Sequence, residues 1–301
     1  MSEQRPQAAL PPPPEGDELP GEAGSTHDRR GLVAHALQAL AAIVGREVLR
    51  FAQQKSRLVS ALVRPVLWLA VFAAGLRDAV GGAVVAPYDA PVPYAVYILP
   101  GLVGMVMLFN GLQSSLSMVY DREMGLMRLL LTAPLPRWWL LFARLVATAL
   151  LSLAQALAFV LVAAALGTAI PLAPLAWLHA LLAAFAGALM LGAIGLLLSV
   201  HIRQLENFAG TMNFVIFPLY FLSTALYPLA KLQASGATWI WIVATANPFT
   251  HAVEWIRFAL YGRDPGASPW IVLGTLAACF GLACWGYDPR RGFGALTQRG
   301  G

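Results

Sequence analysis

Tyr120-Asp121-Arg122-Glu123-Met124-Gly125, followed by Arg128-Leu129-Leu130-Leu131-Thr132-Ala133-Pro134-Leu135-Pro136-Arg137, is a charged, Gly- and Pro-punctuated stretch set between two long apolar runs. The run before it covers about Tyr94 to Val119, and the run after it about Leu140 to Leu166. Each is long enough to cross a bilayer, which takes about 20 mostly apolar residues. A chain that leaves the membrane and re-enters it here shows these charges on one face of the bilayer, within reach of a soluble partner. Pro134 and Pro136 break the helix path before the next run begins.

The whole chain has the same character. Of its 301 residues 58% are hydrophobic and 12% charged, and the mean hydropathy is +0.66. Soluble domains carry about 25% charged residues. The composition predicts an all-α polytopic membrane protein and leaves no room for a large soluble domain. Further apolar runs at about Leu58–Leu76, Leu175–Val200, Phe208–Leu226 and Trp270–Trp285 bring the expected transmembrane helices to six.

Residues 1–31 read as a disordered cytosolic tail, with a proline run at Pro11–Pro14 followed by Glu15, Asp17, Glu18 and Glu22. No early apolar stretch suggests a cleavable signal. From Leu32 to Phe51 apolar residues recur at helical spacing while Arg46, Arg50, Gln53, Gln54 and Arg57 fill much of the other side, the pattern of a helix lying in the membrane interface. The transmembrane domain is expected over 32–286 and a short cytosolic tail over 287–301. Arg64 falls near the start of the first run, from where its side chain can reach back to the headgroups.

Tyr227–Pro269 is too polar for a span and too apolar for a solvated loop. Short re-entrant or interfacial half-helices fit it, with Asn247, Pro248, Glu254 and Arg257 as their marked residues. If the N-terminus is inside, the inner segments hold fifteen cations and the outer ones four: Arg77, Lys231, Arg257 and Arg263. That asymmetry places both termini in the cytoplasm and the Asp121–Arg137 stretch inside. It also accounts for the net charge of +5 without nucleic acid.

Chemistry-bearing motifs are absent. There is no G-x-x-x-x-G-K-[ST] phosphate loop, no H-E-x-x-H and no Cys/His cluster. Cys279 and Cys284, five apart, turn to different faces and suggest neither a disulfide nor a metal site. The second to sixth runs carry no mid-depth ionisable residue of the kind a gradient-coupled carrier uses, so the energy source is expected outside the chain. Two polar stripes stand out: Asn110, Gln113, Ser114 and Ser117 in the second run, and Thr148, Ser152 and Gln155 in the third. They either line a substrate path or hydrogen-bond helix to helix. Ala188, Gly192, Gly195 and Ser199 form a small-residue face suited to close packing.

The string Met118-Val119-Tyr120-Asp121-Arg122-Glu123-Met124-Gly125, with Leu129-Leu130-Leu131-Thr132-Ala133-Pro134-Leu135-Pro136-Arg137 after it, resembles the type-2 ATP-binding-cassette (ABC) exporter permeases. So do Arg64-Pro65-Val66-Leu67-Trp68 and Asn247-Pro248-Phe249-Thr250-His251 with Arg257. The resemblance covers roughly Leu32 to Trp285, with the elements in the same order. It implies six transmembrane helices, an N-terminal interfacial helix, a cytosolic coupling helix and extracytoplasmic half-helices before the last span. Asp121, Arg122, Glu123, Gly125, Arg128 and Pro134 would then couple to a separate nucleotide-binding ATPase, with Glu123 and Arg128 flanking Gly125 on the short coupling helix. ATP and Mg would be bound by that partner, with no cofactor in this chain. The resemblance further implies a homodimer or paired permease in the inner (plasma) membrane of a bacterium, exporting an amphipathic or lipid-like substrate. Phe109-Asn110-Gly111 and the serines after it are similar to permeases encoded beside quinoprotein alcohol-dehydrogenase systems. Two other classes stay open: an ion-gradient-driven carrier or channel, and a polytopic lipid-modifying enzyme.

Overall fold

The computed structural model describes residues 25–53, 55–75, 86–124, 136–171, 173–202 and 204–287. Among these, every regular element is a helix: α1 Ser25–Gln53, α2 Lys55–Gly75, α3 Tyr94–Glu123, α4 Arg137–Ala165, α5 Pro174–His201, α6 Leu205–Phe221, α7 Leu229–Ala234, α8 Thr238–Ala246, α9 Pro248–Leu260 and α10 Ser268–Gly286. Helix α1 starts before the expected Leu32, because the polar residues Ser25–Arg30 show no apolar period from which a helix could be read.

Among the described residues four helices are long and apolar enough to cross a membrane: Tyr94–Asp121, Arg137–Ala165, Pro174–His201 and Ser268–Gly286. The expected six are not reached on this measure. The apolar part of α2 is limited to Val59–Phe72, and α6 has 17 residues with Pro218 inside it. The fifth run was expected to continue to Leu226, but the helix stops at Phe221. Asn247 explains the stop. Its Nδ2 donates to the Leu219 and Leu222 carbonyls at 2.8 and 2.7 Å, acceptors that a continuing helix would use for residues four further on.

Helix α5 is the hub, packed by α3, α4, α9 and α10. Its small face lets α3 come close: a Cβ on Gly195 would sit 2.6 Å from Ser115 Oγ and 3.0 Å from the Gly111 carbonyl. The expected packing role of this face is what the structure shows. The two ends of the bundle are distinct. At one end lie the end of α3, the start of α4 and helix α1, joined where Trp139 Nε1 donates to the Ala36 carbonyl at 2.9 Å. The end of α10 is there too, since Tyr287 meets Ser199 at 2.8 Å. Residues 86–93 and 222–267 gather at the opposite end, where Asp89 pairs with Arg263.

Gly195→Val is expected to overpack the α3–α5 crossing and cost about 1–3 kcal/mol. Gly274→Ala, where a Cβ meets open space, is expected to stay within about 0.5 kcal/mol. Thermal unfolding of the purified chain in a neutral detergent compares the two.

Candidate functional site

Helical spacing sets the polar residues of α3 and α4 on facing sides, and the structure joins them into one seam. Asn110 Nδ2 donates to Ser152 Oγ at 2.7 Å and to the Thr148 carbonyl at 3.4 Å. Ser114 Oγ and Thr148 Oγ1 share a hydrogen at 2.6 Å. Nearer the end of α3, Arg144 donates to Ser117 Oγ at 3.0 Å and to Asp121 at 2.9 Å. Five of the seven stripe residues, Asn110, Ser114, Ser117, Thr148 and Ser152, are thus engaged in helix-to-helix contacts of roughly 1 kcal/mol each. Gln113 stays exposed, and Gln155 is buried at 2% exposure.

Gln113 and Gln155 meet at a cavity of about 150 Å³ between α2, α3 and α4. Its polar lining is Ser60, Arg64, Asn110, Gln113 and Gln155, and Pro65, Met105, Val106 and Phe109 supply apolar walls. Arg64 was expected to reach back to the headgroups. Its guanidinium instead lies 3.8 Å above the Phe109 ring, level with the middle of α3, on an exposed face of α2 that begins nine residues earlier at Lys55.

At the end of the seam, α3 runs on through Asp121-Arg122-Glu123. Glu123 therefore ends a long helix and does not sit on a separate short one, since no helix breaker precedes Gly125. Asp121 turns toward Arg144, and Glu123 is exposed. The Arg122 side chain and all of Gly125, Arg128 and Pro134 lie outside the described residues.

The opposite end holds a feature that charge counting misplaced. Arg257, taken as an outer-loop cation, is 1% exposed. It pairs with Glu254, one turn earlier on α9. Its Nη2 donates to the Thr224 carbonyl at 2.9 Å and the Tyr97 carbonyl at 3.4 Å, and its guanidinium lies 4.2 Å above the Tyr97 ring. Tyr97 and Tyr94 donate to the Thr224 and Leu226 carbonyls, each at 3.0 Å. Burial pushes the Tyr88 hydroxyl, beside this cluster, well above its ordinary pKa, so it stays protonated. Asn247 caps α9 by accepting from the Phe249 amide at 2.9 Å, with Pro248 in the first turn. The i, i+3 spacing of Glu254 and Arg257 was a signal for a shielded pair, but its burial depends on residues over a hundred positions away. Among the described residues no group of three or more His, Cys, Asp or Glu side chains is placed to hold a metal.

Arg257→Leu is expected to leave Glu254 and the Thr224 carbonyl without their partner, at a cost of about 3–5 kcal/mol. The readouts are a lower unfolding temperature and new protease cleavage within 222–247.

Residues 38–261 match the family model described as ABC-2 type transporter. The chain is also similar to proteins named as transport permease ycf38. The one from Cyanophora paradoxa is 29% identical over 250 residues, covering 80% of this chain and 78% of the relative. Those from Porphyra purpurea and Pyropia yezoensis are 29% and 28% identical over 233 and 240 residues, covering 76% and 75% of this chain and 76% of each relative.

Proposed function

The chain belongs to the ABC-2 type transporter family, as a permease subunit, and from that membership we propose that it exports an amphipathic, lipid-like substrate from the cytoplasm or the inner leaflet. A separate nucleotide-binding subunit supplies the work, binding ATP and Mg. In this reading α2 and α6 complete six spans with the four long helices. Both termini and the segment between α3 and α4 face the cytoplasm of a bacterial inner membrane, and a second permease copy completes the pathway. Residues 1–31 form a cytosolic tail ahead of the transmembrane domain.

The observation that carries the proposal is the ion pair at the mouth of the Met124–Pro136 segment. Arg144 and Asp121 tie the end of α3 to the second turn of α4, with side chains 22% and 23% exposed. A force applied to this segment therefore reaches two long helices together. The seam behind the pair carries the displacement inward, toward Asn110 and Gln155. Rigid-body tilting of such a unit is a standard route to alternating access. The exposed Glu123, with Arg122, Gly125, Arg128 and Pro134 beside it in sequence, supplies the contact surface for the ATPase.

The lipid-modifying alternative needs converging free carboxylates. Each described carboxylate at the opposite end is already engaged: Glu254 by Arg257, Asp89 by Arg263, and Asp264 by the Gly266 amide. A gradient-driven carrier would take up substrate in vesicles without ATP.

Asp121→Arg is expected to lower ATP-driven export about tenfold, the equivalent of roughly 1.4 kcal/mol, while the partner's ATP hydrolysis persists. The swap Asp121→Arg with Arg144→Asp is expected to restore much of the loss, as a direct pair requires. Export is measured in vesicles holding both subunits. Failure of the chain to co-purify with an ABC ATPase would overturn the proposal, as would labelling of a Glu123→Cys variant from outside intact cells.

A further inference from the structure

We propose that the cavity between α2, α3 and α4 binds a single oxyanion group, phosphate or carboxylate, with Arg64 as its counter-charge and Gln155 as a second donor. This names the substrate's head-group chemistry and rests on the exporter reading for its physiological meaning, though not for the binding itself.

Arg64 is an exposed cation on α2, level with Phe109 in the middle of α3. Among the described residues its guanidinium makes no hydrogen bond or ion pair, and its contact is the face of the Phe109 ring at 3.8 Å. Stacking leaves the N–H edge of the guanidinium free, and that edge is the part that grips an oxyanion with two parallel hydrogen bonds. No carboxylate lines the cavity. Along α3 the next acid, Asp121, is eleven residues beyond Asn110, about 16 Å by helical rise, and is held by Arg144. A charged side chain at membrane depth without a counter-ion is costly, and such residues mark sites that a partner completes.

Gln155 gives independent support. It is 2% exposed and lines the cavity. Its side-chain amide makes no hydrogen bond to another described residue, and as a lining group it is open to the cavity rather than sealed in the core. A volume of about 150 Å³ admits a small oxyanion or several waters. The surroundings also suit a tail. Ser60, Arg64, Leu67 and Val71 share one face of α2, and Leu67 and Val71 are 59% and 61% exposed. An anionic head against Arg64 would lay its hydrocarbon along these two residues.

The test uses the full-length chain in dodecyl maltoside, titrated by calorimetry with dodecyl phosphate and, separately, with inorganic phosphate. The wild type is expected to bind dodecyl phosphate. Arg64→Gln is expected to weaken binding about tenfold or more, and Gln155→Leu about threefold. Arg64→Lys keeps the charge but loses the fork. It is expected to weaken binding about threefold and serves as the readout if Arg64→Gln does not purify as a single species. Arg64-dependent binding of dodecyl phosphate alone assigns the site to an amphipath's head group. Equal Arg64-dependent binding of inorganic phosphate assigns it to a soluble oxyanion. Undiminished dodecyl phosphate binding by well-folded Arg64 variants, or no binding by the wild type, overturns the proposal. Co-purification with an ATPase is scored separately, so loss of the site and loss of the exporter reading are distinguishable.

Discussion

A full positive charge sealed inside the bundle sets the terms for the end of the molecule around it. Arg257 has almost no contact with solvent, so its partners are protein groups. Glu254 and the carbonyls of Thr224 and Tyr97 meet its two terminal nitrogens, while Nε has no partner among the described residues. These belong to three separate parts of the chain: α9, the turn after α6, and the first turns of α3. Meeting the two terminal nitrogens of one guanidinium therefore fixes where all three lie. Replacing a buried ion pair by apolar residues is often neutral or stabilising, so the pair is better understood as setting position than as adding net stability. Asn247 acts the same way without charge, ending α6 with one amide and starting α9 with the same side chain.

Helix α3 links this anchored end to the working parts. It carries Tyr94 and Tyr97 in its first turn, Phe109 and Asn110 at the cavity in its middle, and Asp121 at its far end. It is buried along most of its length, so it cannot slide independently of its neighbours. The anchored end can serve as a fulcrum and the Asp121–Arg144 end as the place where force enters. That division suits the proposed role, in which a separate subunit supplies the work.

Much of this was legible in the residues and some was not, for identifiable reasons. The long helices α3, α4, α5 and α10 begin and end within a few residues of the apolar runs, because Pro, Gly or charge bounds each run. Both polar stripes were visible as stripes, since i, i+3 and i, i+4 spacing is a local property. That Asn110 meets Ser152 is a tertiary fact, which no local pattern encodes. The end of α6 was placed five residues late because the side chain that ends it comes from Asn247. Arg257 was taken for a loop cation because its shield is assembled from Tyr97 and Thr224. Arg64 was placed at the headgroups because its depth depends on how α2 aligns with α3.

The indole of Trp139 has a consequence of its own. It donates to the Ala36 carbonyl of α1, and Trp139 lies in the same first turns of α4 that carry the loop end of the seam. On the proposed reading α1 rests among lipid headgroups, and the Trp139 indole helps to pin this surface float to a deep rod. A stroke that tipped the rod would then drag the float through the leaflet, so the lipids beside the protein would become part of the load.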